Sequence, residues 1–497
     1  MNAAAPGMVS AGWVLIACYS AAVIFFVVRG ALRTRSMTDY AVGSIAFSPV
    51  VVGLSLAASM MSAATFIINP GLIALYGLSG VLSYAVVLPV AALASFVVLT
   101  RGFRRQGTVV KATTLAQWIG ARYSSRGYAL LFALLALLLI TFIVLICVGL
   151  TKVVSKTLGV GELQALVGIV IFIFGYMMFG GANSMVYTNA IQASLMLVVA
   201  GVLLGSGYEH LEGGVGAFLD RLRAIDPHLV GATNPKSFLF RDYFEIIFCQ
   251  LVIGVAIVCQ PHIITRSLFL RAEKDVRRYL VVATVVSLIF FQVVITGLFA
   301  RLSFPDLTVG GAPLKPDGIV SAYVVTRFPV YVGLVVVMGL IAAGISTLEG
   351  LIQSVSTTVT VDLLGAFSRL GDSVLANRLV IGALGAVSGL LSWRQLVKPD
   401  LSVAIFAQNG VYAYFAAAFV PVLFGTFLRE VPRAAPVAAT LAAVAVHFAV
   451  YYGRVTSYMQ APVRNPAVPG ALAILAALAV GGALTLVLRR ADAGRGE

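Results

Sequence analysis

The sequence predicts an all-α polytopic membrane protein with about thirteen transmembrane helices. Of its 497 residues, 60% are hydrophobic and only 11% are charged, and the mean hydropathy is +1.01. A soluble domain carries about 25% charged residues, so this composition excludes an ordinary soluble protein. The Lys and Arg residues stand in short segments between apolar runs, where they orient membrane helices. The net charge of +15 therefore predicts a membrane topology and no nucleic-acid partner.

Apolar segments follow one another along the whole chain, and each has about 20 residues or more, which is long enough to cross a bilayer. They lie near residues 11–29, 47–75, 79–101, 127–156, 162–182, 186–207, 243–269, 279–302, 328–362, 378–397, 401–428, 434–453 and 467–489. The cysteines lie in or beside these segments without metal or disulfide spacing, which is typical of packing residues: Cys18, Cys147, Cys249 and Cys259. We expect one membrane domain over residues 1–497.

The distribution of basic residues predicts how the chain is oriented. Dense clusters such as RGALRTRSMTDY and RSLFLRAEKDVRR fall on one side of the predicted spans, and the tail ends in RRADAGRGE. The less basic segments 208–242 and 303–327 fall on the other side. We therefore expect a cytoplasmic-type membrane, with the N-terminus outside the cell and the C-terminus in the cytoplasm. Lys152, near the outer end of the fourth span, is expected to reach toward the interface.

The second span, within residues 51–80, is apolar but has an interrupted middle. Pro70-Gly71 removes a backbone donor and loosens a helical turn, so we expect the helix to break there. Irregular backbone at membrane depth is tolerated where it lines a cavity, as in the broken helices of transporters. The alternative is a Pro-kinked helix with hydroxyls bonded to their own carbonyls. The polar residues in this span are Ser55, Ser59, Ser62, Thr65 and Asn69.

The seventh span, residues 244–269, carries a second interruption at Pro261, which Gln260 and His262 flank. Interrupted helices in corresponding positions of two halves are the best sequence indication of a transporter's binding site. The alternatives are a simple kink at Pro261 and a structural, hydrogen-bonding role for His262. A histidine can also titrate near neutral pH.

The ninth span places Ala343, Ser346 and Thr347 at i, i+3 and i+4, so they share one helix face. Two hydroxyls beside a small residue offer oxygen ligands to a hard cation such as sodium, to which a broken helix can add carbonyls. The alternative is that these hydroxyls only hold helices together. Glu349, one turn further inward, is a functional candidate because carboxylates are costly in a membrane. We interpret it as a gate or packing partner, with a proton site as the alternative.

Several motifs together resemble the sodium:solute symporters, the family of glucose, proline, pantothenate and monocarboxylate carriers. They are VVGLSLAASMMSAATF…PGL…YGLSG, TTLAQWIGARY, GGANSMVYTNAIQ, QPHIITR and AAGISTLEGLIQSVSTTVTVDLL. The resemblance implies a LeuT-like, five-plus-five inverted repeat and a sodium-coupled secondary active symporter rather than an enzyme. The implied segments are an extra first helix at 11–29, repeats at 47–207 and 243–428, and additional helices at 434–489.

The resemblance also implies a sodium site and limits its stoichiometry. The implied ligands are the carbonyls of Ala58, Met61 and Ala343 and the hydroxyls of Ser346 and Thr347. Many relatives have Asp where this chain has Asn189, and proline carriers have Asp where it has Met60. Because Asn189 lacks the charge, we expect one sodium per cycle, and we expect the protein to function as a monomer in the bilayer.

Residues beside the two breaks are expected to line the solute pocket. A half-helix N-terminus favours a carboxylate there, and local likeness to pantothenate carriers in RAIDPHLV, FPDLTV and WRQLVKPD points to an organic acid such as pantothenate or a monocarboxylate. The alternatives are a proton-coupled or uncoupled permease, a proline-type symporter and a membrane sensor. The expected pocket residues are Ser62, Ala63, Thr65, Phe66, Ile253, Ile257 and Gln260; the expected gating or helix-break residues are Pro70, Gly71, Pro261 and Glu349.

Overall fold

The computed structural model describes residues 6–62, 64–398 and 403–493, and most of them are helical. In chain order the helices are α1 (Pro6–Ala31), α2 (Met37–Val42), α3 (Pro49–Met60), α4 (Ala64–Tyr76), α5 (Leu78–Val110), α6 (Leu115–Arg122), α7 (Arg126–Leu158), α8 (Glu162–Gly180), α9 (Ala182–Leu211), α10 (Gly214–Ile225), α11 (Phe244–Ile257), α12 (Pro261–Phe269), α13 (Asp275–Ser303), α14 (Pro316–Arg327), α15 (Val330–Phe367), α16 (Val374–Val397), α17 (Val403–Phe427), α18 (Ala434–Gly453) and α19 (Ala467–Ala493). Strands β1 (Thr308–Val309) and β2 (Ala312–Pro313) form a small antiparallel hairpin.

The membrane-spanning architecture agrees with the prediction. Within the described residues, 11 helices are long and apolar enough to cross a bilayer, and the number rises to 13 when the bent pairs α3–α4 and α11–α12 each count as one span. Each of the thirteen predicted spans corresponds to one of these spanning helices or bent pairs, in the same order along the chain. The all-α polytopic fold is therefore confirmed.

The second span bends at a different place from the one predicted. Helices α3 and α4 meet at 58°, and the chain between them is residues 61–63. Pro70 lies inside α4, after its π-helical segment Ala64–Ile68, and the helix continues through it to Tyr76. The expectation that the chain breaks at Pro70-Gly71 is therefore wrong. Gly71 instead allows a close approach, since a Cβ there would lie 1.9 Å from the carbonyl oxygen of Pro316.

The seventh span bends where the sequence predicts. Helices α11 and α12 meet at 57°, and Pro261 occupies the first position of α12. Gln260, just before it, has an extended backbone with φ −67° and ψ 135°. The two bent spans therefore have nearly equal angles and stand at the beginning of the two predicted repeats, whose boundaries stay a prediction.

Helix α15 is the central element on which both bent spans pack. In α15 and in α17, 78% of the most apolar window is buried, compared with 17% in α1. Gly350 of α15 permits the contact, because a Cβ there would lie 2.3 Å from Ser59 Oγ and 3.5 Å from His262 Cβ. Helices α3 and α12 therefore meet α15 at one place, close to the predicted hydroxyl pair.

Candidate cation-binding site

The bend after α3 exposes carbonyl oxygens in the interior of the protein. A helix leaves its last four carbonyls without intrahelical partners and carries partial negative charge at that end. Here α3 ends at Met60, so the carbonyls of Ala58 and Met61 are free of the helical ladder and point toward α15. Ala58 and Met61 are at most 1% exposed. The broken helix therefore supplies two buried, polarised oxygens.

Two hydroxyls of α15 meet these carbonyls. Ser346 Oγ donates to the Ala58 carbonyl at 2.9 Å, and Thr347 Oγ1 donates to the Met61 carbonyl at 3.2 Å. Both hydroxyls also lie near the Ala343 carbonyl, at 3.0 and 3.1 Å. The structure thus brings together all five oxygens that the sequence points to.

This oxygen set fits a hard monovalent cation. Hydroxyl and carbonyl oxygens suit ions such as Na⁺, and a helix C-terminus adds favourable negative potential. The cluster has no carboxylate, and the described residues contain no group of three or more His, Cys, Asp or Glu placed to hold a metal ion. A site without formal charge favours a modestly bound monovalent ion over a divalent metal.

A buried arginine is tied to this cluster by hydrogen bonds that the sequence did not reveal. Arg266 of α12 is 1% exposed and donates to Ser55 Oγ at 2.6 Å and to Ser59 Oγ at 2.9 Å. Ser59 Oγ in turn donates to the carbonyl of Ser346 at 3.2 Å. The guanidinium therefore connects both bent spans to the segment of α15 that carries the hydroxyl pair.

Glu349 is fully buried and belongs to the same network. Its carboxylate accepts hydrogen bonds from the Tyr176 hydroxyl and, at 2.9 Å, from Thr188 Oγ1. With the Asn189 amide oriented to satisfy its neighbours, its nitrogen lies 2.6 Å from Glu349 Oε2 and its oxygen 3.1 Å from Arg266 Nη2. Asn189 therefore bridges the buried carboxylate and the buried guanidinium.

The first group of predicted pocket residues surrounds the bend after α3. Ser62 Oγ accepts from the amide of Ala64 at 3.1 Å and so caps the start of α4. Thr65 is 8% exposed, and the ring of Phe66 packs on Phe290 with 5.7 Å between centroids. Ala63 lies outside the described residues.

The second group, on α11, points in more than one direction. The Cδ1 atom of the buried Ile253 lies over Gly470 of α19, where an added Cβ would be 2.8 Å away, so this side chain contacts the last helix. Ile257 is half-buried. Gln260 is 3% exposed; its Nε2 donates to the Ile257 carbonyl, and its Oε1 has no partner among the described residues. His262 is also buried, and its Nδ1 similarly lacks a partner there.

A cleft open to solvent lies next to the first bend, on the side predicted to be outside the cell, and the space in it that water can occupy is about 20 Å³. Ala64, Ile67 and Ile68 line this cavity, while the predicted pocket residues Ser62, Thr65 and Phe66 do not. Lys152 of α7 forms an ion pair with Asp317 of α14 at its wall. The sequence did not predict this pair, because its two residues lie on separate segments of the chain, α7 and the outer segment 303–327. The other residues lining the cavity are Leu145, Val148, Gly149, Val153, Lys156, Ser321 and Val403.

Comparisons with known proteins give similar transporters over most of the chain. The chain is 28% identical to the sodium/pantothenate symporter of Escherichia coli (strain K12), over 92% of this chain and 94% of that protein. It is 24% identical to a monocarboxylic acid transporter of Corynebacterium glutamicum, over 83% and 78% of the two chains. A solved Na⁺-coupled sialic acid symporter shares the fold with a TM-score of 0.79, at 18% identity, over 96% of this chain and 97% of that one.

The family model described as "Sodium:solute symporter family" matches residues 40–442, which is most of the chain. This match and the membrane-spanning helices identify the protein as a multi-pass membrane transporter rather than an enzyme. The family match also supports sodium-coupled import of a small solute, with Na⁺ as the coupling ion. The bent spans and the oxygen cluster lie within the matched residues. The chain belongs to the sodium:solute symporter family.

Proposed function

We propose that the protein imports a small organic acid together with one sodium ion per cycle by alternating access. The observation that carries this proposal is the convergence of five oxygens between the end of α3 and α15. An ion at this junction contacts both the bent span and the central helix, so its binding favours one arrangement of the two.

Coupling then needs only that sodium and solute favour the same conformations. Sodium bound to the carbonyls of Ala58 and Met61 and to the hydroxyls of α15 holds the bent span in its solute-ready form. The solute joins, an outer gate closes, and the two repeats rock to open the cytoplasmic side. One sodium ion carried with one carboxylate anion moves no net charge, so the sodium concentration gradient, and not the membrane potential, drives accumulation of the acid. A tenfold sodium gradient contributes about 1.4 kcal/mol, which corresponds to about tenfold accumulation.

The stoichiometry of one sodium follows from the charges around the site. Arg266 already places a positive charge beside Asn189 and Glu349. A second cation there would be repelled by the guanidinium and would find an amide instead of a carboxylate at residue 189. The proposed ligands of this single sodium ion are the oxygens of Ala58, Met61, Ala343, Ser346 and Thr347.

An organic acid is the proposed solute class. The bend at residues 61–63 leaves the N-terminus of α4 inside the protein, and a helix N-terminus favours a carboxylate. Gln260 Oε1, at the other bend, is a buried acceptor available to a solute hydroxyl or amide. Relatives named for pantothenate and for monocarboxylic acids support this class. The proposed contacts remain Ser62, Ala63, Thr65, Phe66, Ile253, Ile257 and Gln260.

The test is radiolabelled uptake into proteoliposomes, with pantothenate, acetate, proline and glucose as candidate solutes. We expect uptake of one acid that requires an inward sodium gradient. We also expect the Ser346→Ala/Thr347→Ala double variant to lose that dependence. Sodium-driven uptake of only proline or glucose would overturn the acid assignment, while uptake driven by a proton gradient without sodium would overturn the sodium assignment.

A proton-coupled permease is the second candidate, because Glu349 is a fully buried carboxylate close to the sodium ligands. Its partners support a structural role, since the hydroxyls of Tyr176 and Thr188 and the amide of Asn189 all donate hydrogen bonds to its carboxyl oxygens. The proton gradient in the same uptake experiment separates the two candidates.

A further inference from the structure

The outer cavity carries a charge arrangement that the sodium site does not use. Its lining includes Ala64, Ile67 and Ile68 from the start of α4, together with charged residues from α7 and α14. Lys152 and Lys156 lie one turn apart on α7, and Asp317 is the only carboxylate of the described lining. The described lining therefore has two positive charges and one negative charge.

The ion pair in this cavity joins two elements across its mouth. Lys152 contributes from α7 and Asp317 from the first turn of α14. Both side chains are partly exposed, at 36% and 27%, so a solute in the cavity can reach them. Lys156 is exposed and has no ion-pair partner within residues 6–62, 64–398 and 403–493.

Helix α14 is also packed directly on the bent span. The Pro316 carbonyl lies where a Cβ of Gly71 would be, 1.9 Å away, so there is no space between the start of α14 and α4. Asp317 is the next residue along. The Lys152–Asp317 pair is therefore one residue away from the contact between α14 and the half-helix that begins at the proposed solute pocket.

We propose that Lys152 is an anion-recognition residue in an outer vestibule, where the carboxylate of the incoming solute replaces Asp317 as its partner. Lys156 adds positive potential that draws anions to the cavity. The exchange keeps Lys152 paired, leaves the partly exposed Asp317 carboxylate to water, and releases α14 from α7. This inference rests on the proposed function in so far as the solute is an acid.

The test uses two variants that should change the KM for the transported acid in opposite directions. In proteoliposomes, we expect Lys152→Gln to raise the KM for radiolabelled pantothenate, or for acetate if acetate is the transported acid, about tenfold, since a charge-assisted contact is lost. Asp317→Asn removes the competing carboxylate and should lower that KM several-fold. The half-saturating sodium concentration should stay unchanged in both. Arg327→Gln, which breaks the ion pair with Glu209 at the other end of α14, is the matched control and should leave the KM unchanged.

A purely structural ion pair gives a different pattern. Lys152→Gln and Asp317→Asn would then both impair uptake, and the charge-swapped Lys152→Asp/Asp317→Lys variant would regain wild-type uptake. Either result overturns the proposal. If Lys152→Gln fails to fold, Asp317→Asn alone decides, because only competition at Lys152 predicts a lower KM. Wild-type uptake of an uncharged solute alone would overturn the acid assignment itself. If the wild type takes up an acid but both variants raise its KM, only the role proposed for Lys152 in the vestibule is overturned.

Discussion

The hydroxyl of Ser346 is the side chain whose removal should change sodium affinity most simply. Its Oγ lies 2.9 Å from the Ala58 carbonyl and 3.0 Å from the Ala343 carbonyl. Ser346→Ala removes one of five ligands and leaves the packing of α15 almost unchanged. We expect the half-saturating sodium concentration for uptake to rise about tenfold, because such a contact contributes about 1.4 kcal/mol.

The control for this variant lies on the same helix. Ser356 is equally buried, but its hydroxyl donates to the Gln353 carbonyl of its own helix at 3.3 Å and lies beside Tyr40, and it contacts none of the five proposed ligands. Ser356→Ala should leave the sodium dependence unchanged. Equal effects of Ser346→Ala and Ser356→Ala would show that the hydroxyls only pack helices and would contradict the site.

Glu349 provides a second prediction at the residue scale. Its carboxylate is held by Tyr176 and Thr188 and, through Asn189, lies opposite Arg266. Glu349→Gln removes the carboxylate that faces Arg266 across the Asn189 amide and weakens hydrogen bonds to a buried acceptor, at a cost of about 1–3 kcal/mol. We therefore expect a lower thermal unfolding midpoint, but sodium-dependent uptake with an unchanged pH profile. Uptake that loses its pH dependence in this variant would indicate a proton-carrying role instead.

Helical spacing was enough to identify the hydroxyl pair, because Ser346 and Thr347 lie on one continuous helix. Helical spacing could not identify Arg266 as a member of the buried hydrogen-bond network, or Lys152 as a residue of the outer vestibule. Their partners are far away in sequence, namely Ser55 and Ser59 for Arg266 and Asp317 for Lys152. Contacts of that kind depend on how separate helices pack, which no local pattern records.

At the scale of elements, the contact between α4 and α14 should tolerate no added methyl group. A Cβ at Gly71 would lie 1.9 Å from the Pro316 carbonyl oxygen, and a backbone atom cannot rotate away. Gly71→Ala should therefore destabilise the protein by about 1–3 kcal/mol, as overpacked cores do. The thermal unfolding midpoint of the purified protein measures this loss.

Gly318 of α14 is the matched position, since a Cβ there meets nothing within 4 Å. Gly318→Ala should keep the wild-type unfolding midpoint or raise it slightly, because alanine favours helix more than glycine. A Gly71→Ala variant as stable as Gly318→Ala would contradict the close packing of α4 and α14.

The positions of the two bends show why elements are only partly predictable. Pro261 marks its bend because it starts α12 directly after the break. Pro70 does not, because the chain bends between Met60 and Ala64, and the proline lies inside α4 after its π-helical segment. A proline in the sequence therefore does not by itself locate a bend.

For the whole molecule, hydropathy was sufficient to predict the spans, since length and apolarity alone decide which segments cross a bilayer. Orientation is a separate prediction from the positions of the basic clusters. We expect a fluorescent protein fused to the C-terminus to fluoresce in the cytoplasm, and alkaline phosphatase fused at the same place to be inactive. Active phosphatase there would reverse the proposed topology and place the Lys152 cavity on the inner side.

The central claim is that one sodium ion binds at the junction of α3 and α15. Equilibrium binding of radioactive sodium to the purified protein tests it most directly, without knowledge of the solute. We predict saturable binding of one ion per chain, lost in the Ser346→Ala/Thr347→Ala variant and retained in Ser356→Ala. Sodium binding that is unchanged in the double variant, or that saturates at two ions, would contradict the account.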